Sequence, residues 1–368
     1  MTRCAVTTRL LRAEAKFVQT ARRGALPPQA HWITDSRLVF LRKVGSETPR
    51  PIRVGEMLRR VVAKRIAFDT RSANLKHLAS VRQCGVGLPG GAEALIHLRR
   101  CMEEALAGDE CPVVAILDLD LRNAFPSLEW PAIRAAVASQ AGDISPWTEW
   151  CHQKAARINL PAGVWTTCDR GAEQGDPLGS LYCALVLVDC AAAAAAAVRA
   201  AGYWVADFWF ADDGQVILPP DAVDLYLRAF DASLSAVGGT RVGTDGKVKS
   251  TVKLLGPPGA MAATPGEWCT EYVSTSCKVV RNGPGGLVLG VGITATDGRE
   301  LWAAAATEAE RVRAALPLVD DPAAELSLLR MCMGGCRLTR RLRGLGPDLQ
   351  EQDIADADHA IESPCPRC

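Results

Sequence analysis

Val205-Ala206-Asp207-Phe208-Trp209-Phe210-Ala211-Asp212-Asp213-Gly214-Gln215-Val216-Ile217-Leu218 reads as a strand, a tight turn and a second strand. Aromatic and β-branched residues flank an acid-acid-glycine corner, so two carboxylates sit at a hairpin tip. A bare Asp-Asp pair more often serves a turn or a cap. What gives this one weight is a second acid-bearing strand upstream. Cys111 to Leu121 carries the apolar run Val113-Val114-Ala115-Ile116-Leu117, interrupted by Asp118 and Asp120 and stopped at Asn123-Ala124-Phe125-Pro126. Alternate residues of a strand share a face, so Asp118 and Asp120 lie side by side and repel unless a cation or a proton offsets them. Acids at a strand end and a hairpin tip can converge on a pair of Mg²⁺ ions, which prefer oxygen ligands and phosphates.

Outward from these strands the pattern is mixed. Residues 1 to 48 suggest a helix, a Pro-rich loop at Leu26-Pro27-Pro28 and a strand at Leu38-Val39-Phe40-Leu41. Gly55 to Phe68 reads as a basic amphipathic helix, with Met57, Val61, Lys64 and Phe68 at near-helical spacing and Arg and Lys on the other faces. A glycine-rich turn from Gln83 to Gly91 precedes a helix over Ala92 to Ala107. Leu178 to Ala201 is almost continuously apolar, with alanines from Ala191 to Ala197. Asp189 at its centre and the weak lipophilicity of alanine favour a buried helix over a membrane span. After about residue 260 the chain turns Gly/Pro-rich, with a strand-like Gly286 to Ile293 and helical patterns at Leu301 to Leu316 and Ala323 to Arg343.

The net charge of +1 conceals an asymmetry: residues 1 to 100 hold 20 Lys+Arg against 6 Asp+Glu, the remainder 22 against 35. A region of +14 therefore precedes one of −13. Arg22-Arg23, Arg42-Lys43, Arg59-Arg60, Lys64-Arg65 and Arg99-Arg100 would attract phosphate backbones, although charge clusters alone are more often solvated helix faces. The 14 cysteines are scattered, and no secretory leader is expected, so Cys183, Cys190, Cys332 and Cys336 read as buried thiols in a reducing compartment. Cys365 and Cys368, with His359 the nearest histidine, cannot complete a local zinc site.

In order and spacing these segments resemble the motifs of reverse transcriptases, most of all those of non-LTR, LINE-type retrotransposons. Asp120-Leu121-Arg122-Asn123-Ala124-Phe125 resembles the first palm motif, an Asp followed five residues later by an aromatic. Gly171-Ala172-Glu173-Gln174-Gly175-Asp176-Pro177-Leu178 resembles the second, whose Gln-Gly turn opens a long palm helix. Phe210-Ala211-Asp212-Asp213 resembles the third, with Phe where the family usually has Tyr. Arg50-Pro51-Ile52 is similar to the fingers motif that reaches the triphosphate, with Lys43 a second candidate. Gln83-x-Gly85-x-x-x-Pro89-Gly90 resembles the template-contacting segment that follows. Lys249-Ser250 resembles the lysine motif after the catalytic hairpin, Leu289-Gly290-Val291 the primer grip, and Leu328 to Arg343 the first thumb helices. Arg337, Arg340, Arg341 and Arg343 there are candidates for the nucleic-acid backbone.

The resemblance implies an α+β right-hand polymerase fold. It divides the chain into an N-terminal extension and basic fingers over 1–110, a palm on an antiparallel sheet over 111–260 with a fingers insertion at about 127–165, and primer-grip strands and a helical thumb over 261–368. It implies Asp120, Asp212, Asp213 and Lys249 as catalytic residues, with Asp120, Leu121, Asp212 and Asp213 at the metal. Asp118 would tune the site as a neighbour. Lys43, Arg50, Phe125, Gln174, Gly175 and Phe210 would bind substrate, Phe125 excluding a 2′-hydroxyl. Mg²⁺ is the expected ion, with Mn²⁺ as alternative. The expected partners are an RNA template, a DNA or RNA primer, dNTPs and other domains of a larger element-encoded protein, without a membrane. An intracellular, nuclear location follows by the same resemblance. Two rivals stand: an RNA-dependent RNA polymerase, against which Ala211 and Phe125 speak, and a catalytically lapsed module that only binds nucleic acid.

Overall fold

The computed structural model describes residues 5–41, 49–106, 108, 110–173, 175–241, 248–264, 266–280, 282–289, 291–292 and 307. Helix α1 (Ala5–Arg22) leads into strands β1 (Ser36–Leu41) and β2 (Arg50–Gly55), then α2 (Met57–Ser80) and α3 (Gly91–Leu106). Strand β3 (Val114–Leu119) is followed by α4 (Ala124–Ser127), α5 (Trp130–Gln140), α6 (Ser145–Cys151), β4 (Ala156–Asn159) and β5 (Trp165–Cys168). The long helix α7 (Gly179–Ala200) precedes β6 (Ala206–Phe210), β7 (Asp213–Leu218), α8 (Val223–Ala236) and β8 (Thr251–Leu255). Short elements follow: α9 (Pro258–Ala263), α10 (Glu271–Ser276), β9 (Lys278–Val279), β10 (Leu287–Val288) and β11 (Val291–Gly292).

The α+β class expected from the sequence is present, built on mixed sheets. One sheet runs β2-β1-β4-β5 and another β6-β7-β3-β8-β9. The second is not the wholly antiparallel sheet expected of a palm. Its β6, β7 and β3 are antiparallel, but β9 lies parallel to β8, because α9 and α10 intervene and return the chain in the same direction. The chain forms two units, each drawn from separate stretches: 1–89, 115–252 and 265–280 in the first, and 90–114, 253–264 and 281–368 in the second.

In the first unit α7 is the organising helix. By length and composition it could cross a membrane, yet most of its surface is covered by its own unit, with α5 and α8 packed along it. Leu181, Tyr182, Cys183, Leu185 and Leu187 are all buried, as is Cys190, the burial expected of both thiols. Helix α8 presents Val223, Tyr226, Leu227, Phe230 and Leu234 inward, and Phe230 stacks on Trp209 of β6 at 5.6 Å.

Helix α2 departs from its sequence reading in length and in orientation. It continues to Ser80, and its buried face is Arg59, Val62, Ala63, Ile66 and Thr70, while Met57 and Phe68 are 70% and 71% exposed. A buried arginine turns the helix, because two buried carboxylates wait for it. Arg59 donates to Asp176 at 3.0 Å and to Glu173 at 2.9 Å, and Glu173 also accepts from Arg53 of β2 at 2.8 Å. Burial alone would lower the Arg59 pKa, but the Glu173 and Asp176 carboxylates outweigh it and hold the guanidinium charged.

In the second unit α3 buries Arg99, Arg100 and Glu103. Glu103 accepts from Arg99 at 2.6 Å, from Lys253 at 3.0 Å and from the Gly285 N–H at 2.7 Å. Thus Arg59, Arg99 and Arg100, all in sequence clusters suited to phosphate, are interior residues. Strands β10 and β11 form a small hairpin whose turn includes Leu289, at φ 50°. Gly290 and the thumb-like residues 328–343 lie outside the described residues, as do Cys332, Cys336, Cys365 and Cys368.

Candidate functional site

The acids lie toward one end of the five-stranded sheet. Strand β3 pairs with β7 so that Asp118 faces Gln215 and Leu119 faces Gly214. The register ends there: Asp120 follows Leu119 just past the strand, and Asp213 precedes Gly214 at the tip of the β6–β7 hairpin. Phe210 and Asp213 are the last pair of that hairpin, and Ala211 and Asp212 make the turn. Ala211 has φ 54°, a left-handed conformation unusual for a residue with a side chain. Gly214 is needed beneath the acids: a Cβ there would lie 2.6 Å from the Trp209 indole, which is itself fully buried.

Residues 129 positions apart in the chain meet at Asp120. Lys249 Nζ donates to Asp120 Oδ1 at 3.0 Å, in a pair open to solvent, with side-chain exposures of 63% and 41%. The neighbouring Ser250, buried, fixes the Asp120 backbone: its Oγ accepts from the Asp120 N–H at 3.1 Å and donates to the Asp120 carbonyl at 3.3 Å. Asp118, on the same face, accepts from Thr251 Oγ1 at 3.3 Å. Alternate residues of the 249–251 stretch thus engage the two acids that alternate at the end of β3. Below the tip lies the buried thiol of Cys183, pushed up by burial first and by the Asp212 carboxylate second. Leu121 is buried just past the acid.

The segment resembling the second motif lies against the one resembling the first. The Ala172 N–H donates to the Phe125 carbonyl at 2.7 Å, the Gly171 N–H to the Leu128 carbonyl at 2.6 Å, and Trp130 Nε1 to the Gly171 carbonyl at 3.1 Å. Gly171, at φ 81°, passes so close to Pro126 that a Cβ would sit 2.7 Å from its backbone. Phe125 is half-buried in this contact. Gly175 sits by β2, where a Cβ would be 3.2 Å from the Arg53 carbonyl. Asp176 holds the turn into α7 by accepting from the Leu178 N–H at 2.9 Å. Arg50 begins β2 opposite Leu41. The Arg50 side chain, Lys43 and Gln174 lie outside the described residues.

Among the described residues, no three His, Cys, Asp or Glu side chains are gathered closely enough to hold a metal ion. The donor chemistry nevertheless suits a hard divalent cation: carboxylate oxygens at a partly open sheet end, one already accepting a cationic ammonium as stand-in.

Four residues that bear on the site have roles the sequence reading did not assign. Gln83 reaches the Ala211 peptide, Arg59 and Arg53 hold the carboxylates on either side of position 174, and Ser250 ties down Asp120. Ser250 carried a signal as the neighbour of Lys249, whereas Gln83 and Arg59 carried signals that pointed to template and phosphate instead. Compared with known proteins, the chain matches no family model and no curated sequence.

Proposed function

We propose that the chain is a right-hand polymerase of reverse-transcriptase type, extending a primer 3′-hydroxyl with dNTPs on an RNA template. The observation that carries this reading is the convergence at Asp120: β3, the β6–β7 hairpin tip and Lys249 come from three separate motif-like segments and meet at one end of one sheet. An accidental Asp-Asp turn has no reason to face an acid on the adjoining strand, nor that acid to carry a lysine 129 residues away.

Asp120, Asp212 and Asp213 would hold the divalent ions, Mg²⁺ or Mn²⁺. When bound, such ions lower the pKa of the attacking hydroxyl and neutralise charge on the leaving pyrophosphate. Lys249, whose Nζ donates to Asp120 Oδ1, would neutralise or protonate an anionic oxygen leaving from that position. Gly171 sets the height of its loop on Pro126, and the loop holds Phe125, the proposed gate against a 2′-hydroxyl, through the Phe125 carbonyl. Gln174 and Gly175 would then present a backbone corner to template and incoming nucleotide. Lys43 and Arg50 would reach the triphosphate.

The test is extension of a primed RNA template with dNTPs and Mg²⁺, run beside Asp212→Asn. Extension by the parent and loss of about 10² or more in rate in the variant support the reading, a loss of the size seen when an electrostatic stabiliser of the transition state is removed. A clear preference for rNTPs would move the assignment to an RNA-dependent RNA polymerase. A second reading, a lapsed module that binds nucleic acid without copying it, is favoured by one observation: Asp120 already accepts a cation from Lys249. Template binding without any Mg²⁺-dependent extension by the parent protein would select it.

A further inference from the structure

Gln83 belongs to a segment whose resemblance suggests template contact, yet it is 1% exposed and cannot meet a template with its side chain. Both ends of its amide engage the backbone of one residue 128 positions away. Gln83 Nε2 donates to the Ala211 carbonyl at 3.0 Å, and Oε1 accepts from the Ala211 N–H at 2.8 Å and from the Gly85 N–H at 2.9 Å. Ala211 is the left-handed residue of the acidic turn. Its conformation is disfavoured for alanine, and a donor and an acceptor at fixed separation hold it there. Gly85 makes the approach possible, since a Cβ on it would fall 2.0 Å from the Ala211 nitrogen.

The clamp is more than the seal of a sheet edge. That seal is made by backbone groups: the Cys84 N–H donates to the Trp209 carbonyl at 2.7 Å and the Trp209 N–H to the Arg82 carbonyl at 2.9 Å. Arg82 adds an ion pair to Asp207 at 2.8 Å. These contacts would close the edge of β6 with any side chain at position 83. The amide goes further, to the two peptide units on either side of the Ala211 Cα, the second of which leads into Asp212. A primary amide supplies a donor and an acceptor at this reach; an ionised glutamate lacks the donor, and methionine has no donor and only a weak acceptor.

We propose that Gln83 is a positioning residue that aims the acidic hairpin turn, with Gly85 providing the close approach. The proposal rests on the assignment of Asp212 and Asp213 as metal carboxylates. It is tested first without metal, by amide hydrogen exchange on the full chain. Gln83→Met should speed exchange at Ala211 and Gly85 by about tenfold or more, the loss expected from a buried hydrogen-bond partner. Cys84 and Trp209, held by the backbone bridge, should stay within about twofold of the parent.

Mn²⁺ titration by electron paramagnetic resonance follows, with Asp212→Asn as the site control. Gln83→Met should raise the half-saturating Mn²⁺ about tenfold and lower kcat with the dNTP KM nearly unchanged. Gln83→Glu, which keeps the acceptor, should fall between the two and carries the comparison if the methionine variant does not fold. Parent-like exchange at Ala211, or faster exchange with unaltered Mn²⁺ affinity, overturns the clamp. A parent protein that binds Mn²⁺ through Asp212 but extends no primer overturns the polymerase reading, and the exchange and Mn²⁺ titrations still decide the clamp. A parent that binds no Mn²⁺ through Asp212 overturns both.

Discussion

Arg59→Met removes a guanidinium that donates to Asp176 from two nitrogens at 3.0 Å, to Glu173 at 2.9 Å and to the Thr34 carbonyl at 3.4 Å. The two acids do not suffer equally. Glu173 keeps Arg53 at 2.8 Å, while the ion pair of Asp176 among the described residues is with Arg59. The variant therefore leaves about one buried carboxylate without its cation, a change that destabilises by about 3–5 kcal/mol. Arg59→Lys keeps a charge but loses the planar fork, and should lose about 1.5–3 kcal/mol, the worth of a charged hydrogen bond. Urea unfolding of the full chain followed by far-UV circular dichroism reads these as midpoint shifts. With a slope of about 2–3 kcal/mol/M, Arg59→Met should unfold about 1–2.5 M earlier. Adding Asp176→Asn to Arg59→Met should recover much of the loss, because the stranded charge goes with it. An Arg59→Met midpoint within about 0.3 M of the parent would refute the account, as would a double variant weaker than Arg59→Met alone.

Lys249→Met should leave stability within about 1 kcal/mol of the parent, since its pair with Asp120 is solvent-exposed, while slowing extension; a parent-like rate would remove Lys249 from the site. Gly171→Ala should destabilise by about 1–3 kcal/mol, because a Cβ meets the Pro126 backbone at a positive φ; an unaltered melting temperature would mean that the loop yields freely. Acid should destabilise the fold between about pH 6.5 and pH 4. Burial first, then Lys154 and Arg59, push the His31 imidazole down to about 4, and burial pushes His152 down beside Trp130. Both bases have folded values below the unfolded one, so the unfolded chain binds more protons in that window. Their stabilisation is complete above the unfolded value and is lost as pH falls, by up to about 1.4 kcal/mol per pH unit for each. Stability constant from pH 7 to pH 5 would contradict it.

The fold was legible wherever a local pattern sufficed. The β6–β7 hairpin and β3 fall where aromatic and β-branched runs meet turn residues, and α7 spans Gly179–Ala200 against an expected Leu178 to Ala201. Boundaries moved where tertiary partners decided. Strand β3 begins at Val114, and the strand-like Gly286 to Ile293 is, over its described residues, two short strands with Leu289 in the turn between them. Helix α2 shows the limit most clearly. Period and hydropathy fixed that a helix forms there but chose Met57 and Phe68 for its inner face, because no residue-by-residue scale can foresee that an arginine is buried to meet Glu173 and Asp176 from a loop more than a hundred residues away.

The site divides along the same line. Carboxylates, a lysine and glycines at turns carry their chemistry in their identity, so Asp120, Asp212, Asp213 and Lys249 could be named from sequence, and alternation alone left Asp118 beside Asp120. What separates those two in space is the 249–251 stretch, where Lys249 and Thr251 lean to the same side and each takes one acid. Residues that act by holding a backbone have no such identity. Gln83 reads in sequence as part of a template-contacting segment, and the role proposed for it comes into view only when the Ala211 N–H and carbonyl are found at the two ends of its amide. An acidic turn of left-handed alanine needs something to hold it, and in an active polymerase that holder would be as exacting as the acids: removing it would leave all three carboxylates in the chain and misdirect two of them.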